Sequence, residues 1–242
     1  MEAFLKPEES LIANDERLLR KAAGQALAML AIDCARNCVV MLQEANHVFI
    51  KKLTSMIHDD SYRYVAASLL RNVCLHARCE LKDSDLVVLS CSLREVLERI
   101  MDAEGAELEI LIGLSSQMCK VIPADFILEL EHSQTSAKFV KRLVDVLNAN
   151  MEPRAHCPGI RRLILEQAIH MMEYDPRYVS WFSECSMMES LSKVEETASK
   201  AENYIMFWGD AGLMEYSDLL SYLVVKTKQL LALSHHNQRV QH

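Results

Sequence analysis

Long apolar segments recur along this chain at a nearly constant interval, and that interval constrains the fold more than any other feature. Residues 22 to 33 read AAGQALAMLAID, 66 to 77 read AASLLRNVCLHA, 109 to 120 read EILIGLSSQMCK, and 163 to 174 read LILEQAIHMMEY. Successive offsets are 44, 43 and 54 residues. A second set lies between them: FIKKLTSMI at 49 to 57, SLREVLERI at 92 to 100 and FVKRLVDVL at 139 to 147, offset by 43 and 47. Each member of the second set spaces its apolar residues near i, i+4 and i+8, one stripe of a helix. A period of about 40 to 47 residues marks stacked helical repeats, whose units bury their apolar faces by leaning on their neighbours.

Composition supports helix throughout. The chain of 242 residues holds 6 Gly and 5 Pro, too few to punctuate a β-rich fold, and aromatics make up only 6%. The polar breaks His58 to Ser61, Asp102 to Gly105 and Asn148 to Gly159 carry the residues that helix starts favour, with Asp60 and Ser61 as cap candidates. The longest break, with its Pro-Gly pair, accounts for the longer third offset.

SYRYVAASLLRNVCLHA at 61 to 77 resembles the third helix of an armadillo repeat, with two small residues, two apolar ones and an Arg-Asn pair. FIKKLTSMIHDD before it resembles the second helix and its acidic turn. The likeness spans roughly residues 12 to 190, is similar to that of plant armadillo-repeat proteins, and leaves HEAT repeats open. It implies an all-α, armadillo-like alpha-alpha superhelix, a short right-handed solenoid of three or four repeats. Residues 1–11 are expected to be a flexible N-terminus, 12–203 the repeats, 204–233 a C-terminal cap and 234–242 a flexible tail. In that family, third-helix Asn residues grip extended peptides. Here Asn72 fills the position, but its register equivalents are Ala28, Ser115 and Ile169, so the Asn ladder is absent.

A net charge of −8 argues against a nucleic-acid partner. Eight cysteines inside apolar helical stretches of a long chain are expected to stay reduced, in cytoplasm or nucleus. The acidic start is unlike a signal peptide, and no 18-residue apolar run predicts a membrane span.

Candidate chemistry is sparse. Cys74, His76 and Cys79 have ligand-like spacing, yet 74 and 76 diverge by about 200° on a helix, and a zinc site needs four convergent ligands. Cys34 and Cys38 share an apolar face with Leu27, Leu30 and Met41 nearby and suit the core. His156-Cys157 is an adjacent pair, poorly placed for nucleophile and base. Neither a G-x-S-x-G elbow nor a phosphate loop occurs. We therefore expect no catalytic, cofactor or metal residues. Lys51-Lys52 and Lys141-Arg142 recur in register, either as a solvated face or as an edge for an acidic partner. Tyr174, Tyr178, Trp181 and Phe182 are either a buried short helix or a docking patch. The expected function is a non-enzymatic scaffold or adaptor that binds a protein on its concave face through Arg71, Asn72, Ser115 and Arg162. The alternative is a structural subunit or truncated paralogue that associates end-on, or a homodimer through the N-terminal end. The segment 17 to 42 resembles a third helix without its preceding helices, and exposed apolar surface at that end, or dimerisation through it, would favour that alternative.

Overall fold

The computed structural model describes residues 1–5, 14–44, 48–152, 156–207 and 219–239, and every regular element among them is helical. The chain divides into two compact units, Met1–Ile100 and Met101–His242.

The first unit holds α1 (Glu2–Leu5), α2 (Asn14–Ala31), α3 (Ala35–Glu44), α4 (Phe49–Met56) and α5 (Arg63–His76), then a 3-10 turn at Arg78–Glu80 and α6 (Asp83–Asp102). The α2–α3 break falls at Asp33, whose φ of 49° is a left-handed position that Asp tolerates. Helices α2, α3 and α4 all pack on α5. Their core is Phe49, Ile50, Leu53, Leu69, Leu70 and Val73, all with at most 1% exposure. Two arginines tie the chain locally. Arg63, buried, donates from Nε to the Ile57 carbonyl at 2.8 Å and pairs with Asp60. Arg20 donates to the Phe4 carbonyl at 3.0 Å and lies over the Tyr62 ring. The helix after the acidic turn starts at Arg63, without the side-chain cap expected of Asp60 or Ser61. Asp59 instead accepts from the Ser61 N–H at 2.8 Å.

The second unit holds α7 (Gly105–Val121), α8 (Pro123–His132), α9 (Ser136–Ala149), α10 (Ile160–Tyr174), α11 (Arg177–Glu184), α12 (Met187–Phe207) and α13 (Leu220–Arg239). Gly105 has φ +57°, which a Cβ would strain. Pro123 opens α8 at the first helical position, where no N–H is needed. α7 and α8 meet at 116°. No single helix among the described residues is long and apolar enough to cross a membrane; α7 and α8 reach that hydropathy only together, and most of α7 is buried. α10 packs on α7, and α13 lies against α10, α11 and α12. The Glu109 carboxylate accepts from the Gly159 N–H at 3.0 Å, pinning the long loop to α7.

The expected long segments lie in α2, α5, α7 and α10, and the intervening ones in α4, α6 and α9. Other expectations are corrected. Residues 2 to 5 form α1, with Phe4 fully buried, because Gly24 leaves room for its ring; residues 6 to 11 lie outside the described part. α12 runs to Phe207, past the expected boundary at 203 between repeats and cap. Helix α13 runs on into the expected tail as far as Arg239. In α12, Met187, Leu191 and Val194 are buried, whereas Met188 is exposed.

Candidate functional site

Among the described residues, α2 carries an exposed apolar face. Its inward face presents Arg20, Gly24, Ala28 and Ala31 to the first unit. Its outward face carries Leu18, Leu19, Met29 and Leu30, exposed by 66, 62, 74 and 56%, with Ala22 and Ala26 between them. At 3.6 residues per turn Leu18, Ala22, Ala26 and Met29 fall on one stripe, flanked by Leu19 and Leu30. Ile32 and Val40 extend the apolar surface, and Glu16, Arg17 and Lys21 are exposed around its N-terminal end. Solvent-facing apolar groups in one contiguous stripe are unusual on a soluble surface and mark contact sites.

Internal comparison sharpens the point. Adding the 44-residue offset carries Leu18, Leu19, Ala22, Ala26, Met29 and Leu30 of α2 onto Tyr62, Arg63, Ala66, Leu70, Val73 and Cys74. All six are buried. In α10 the residues matching Ala22, Ala26 and Leu30 are Leu163, Gln167 and Met171, buried as well. The positions that α5 and α10 cover are the ones α2 leaves bare.

Of the four residues expected on a concave face, Arg71 and Asn72 lie in the first unit and Ser115 and Arg162 in the second. Asn72 is buried and spends its Nδ2 on the Ser68 carbonyl one turn back, at 2.9 Å. Ser115 has no exposed surface; its hydroxyl lies 2.5 Å from Gln167 Oε1. Both side chains are buried and hydrogen-bonded within the fold, so neither presents the open surface expected of it. Arg71 and Arg162 are half-buried, and each keeps one buried nitrogen without a hydrogen bond, Arg71 Nε and Arg162 Nη1. Arg71 shares a face of α5 with the exposed Tyr64 and Leu75, near His76, whose Nε2 lies 3.6 Å from Asp33. Burial is the main cause that lowers the His76 pKa; Asp33 opposes it and Arg71 adds to it.

Between α7 and α10 runs a buried polar seam that the sequence reading passed over. Beside Ser115–Gln167, His170 Nδ1 lies 3.1 Å from both the Ser116 carbonyl and its hydroxyl. A carbonyl only accepts, so Nδ1 carries the proton. Burial lowers the His170 pKa, with Lys120 and Lys226 adding to the effect and the Ser116 hydrogen bond and Glu173 opposing it. Three polar residues in succession at 115 to 117, inside an otherwise apolar helix, were the available signal.

The other candidates resolve as packing. Cys74 is buried while Cys79 is exposed, and among the described residues no three His, Cys, Asp or Glu side chains converge as metal ligands. Burial pushes the Cys74 and Cys119 thiols up to about 12 and Cys38 to about 11, which keeps them protonated and poor nucleophiles. Cys157 is buried and donates to Asn150 at 3.6 Å, whereas the adjacent His156 is exposed. Arg142 donates to the Ala103 carbonyl at 2.8 Å, so it is not a bare edge charge. Tyr178 and Phe182 are buried in α11, with Trp181 edge-on to Tyr178 at 4.9 Å, and only Tyr174 is exposed; they form no docking patch.

No family model matches the chain, and no curated protein sequence matches it. Its fold is similar to that of an engineered protein whose crystal structure comes from the Northeast Structural Genomics Consortium, with a TM-score of 0.54 at 11% identity, covering 92% of this chain and 94% of that one. At that identity the likeness concerns the fold alone.

Proposed function

We propose that the chain is a non-enzymatic protein-interaction module, an armadillo-like superhelix of stacked helix pairs that joins its partner end-on through the outward face of α2. The observation that carries this reading is the exposed Leu18–Leu19–Met29–Leu30 surface. Covering a single Leu or Met side chain contributes about 1.5–3 kcal/mol before ordering costs. A few such residues on a preformed helix therefore suffice for specific binding. Eight cysteines, none of them in a disulfide, suit a reducing compartment, cytoplasm or nucleus.

A second reading, an adaptor that grips its partner along the outer face of α5, draws on the unanswered Nε of Arg71. Affinity purification from native tissue separates the two. Tagged wild type is compared with Leu18→Glu/Met29→Glu and with Arg71→Ala, each checked for unchanged helicity. The end-on reading expects the partner to be lost with the double substitution and kept with Arg71→Ala. The opposite pattern transfers the site to α5, and full recovery with both variants removes both readings.

A further inference from the structure

We draw no further inference here: the strongest candidate, the exposed apolar face of α2 that carries Leu18, Leu19, Met29 and Leu30, adds nothing to the end-on reading, because nothing in the structure shows what covers it.

Discussion

At the scale of single residues, the polar groups inside the second unit are its sensitive points. His170 is held neutral, its N–H directed at the Ser116 carbonyl, with Lys120 and Lys226 both facing it. The sign of the pH effect follows. An unfolded His titrates near 6.5, and the folded one resists protonation. Folding is therefore favoured fully above that pH, and stability falls as pH drops below it, by at most about 1.4 kcal/mol per pH unit for one group. Urea unfolding at pH 7.5 and 5.5 is expected to give a smaller acid loss for His170→Gln than for wild type. An equal loss contradicts the role. His76 shifts in the same direction in the first unit, so the variant reduces the slope without abolishing it. Residue by residue, the sequence was a poor guide to which polar groups face a partner. Arg71 and Asn72 are neighbours on one helix, yet Asn72 bends back onto its own backbone while Arg71 stays half-exposed. A turn of 100° separates those fates, and periodicity alone does not say which side a neighbour will cover.

At the scale of elements, the helices themselves were legible, because a stripe of apolar residues and a polar break carry their own physics. Their partners were less so. The bend between α7 and α8 depends on Pro123, and α1 forms because Phe4 finds a seat on α2. That seat gives a sharp test. A Cβ at Gly24 would clash with the Phe4 ring and press on Val65 at 3.0 Å. Gly→Ala inside a helix ordinarily gains about 1 kcal/mol. Overpacking costs about 1–3 kcal/mol. Gly24→Ala alone is therefore expected to lower the unfolding midpoint or leave it unchanged. In a Phe4→Ala background, where only Val65 still crowds the methyl, the same substitution is less harmful. A double-mutant cycle by thermal denaturation reads the difference, and equal effects in both backgrounds contradict the packing of α1 on α2. The sequence pointed to the end formed by residues 17 to 42 but placed Leu30 with the core, whereas it is 56% exposed on α2. Its extent became visible only once the register of α2 and α5 could be read against burial.

At the scale of the molecule, apolar segments recurring every 43 to 54 residues foretold helix, and every regular element among the described residues of both units is helical. What the period could not supply is where the series stops sharing its apolar surface, because every member of a repeat looks alike in sequence whether or not a neighbour covers it. The account turns on that bare member, and Met29 reports it directly. Dilute hydroxyl-radical footprinting with mass spectrometry follows the oxidation of Met29 beside Met118 and Met171, both fully buried. The expected result is rapid oxidation of Met29 in the isolated chain and strong protection once the native partner is bound, with Met118 and Met171 slow in both states. Slow oxidation of Met29 in the isolated chain, or no protection in the complex, contradicts the assignment of α2 as the interface.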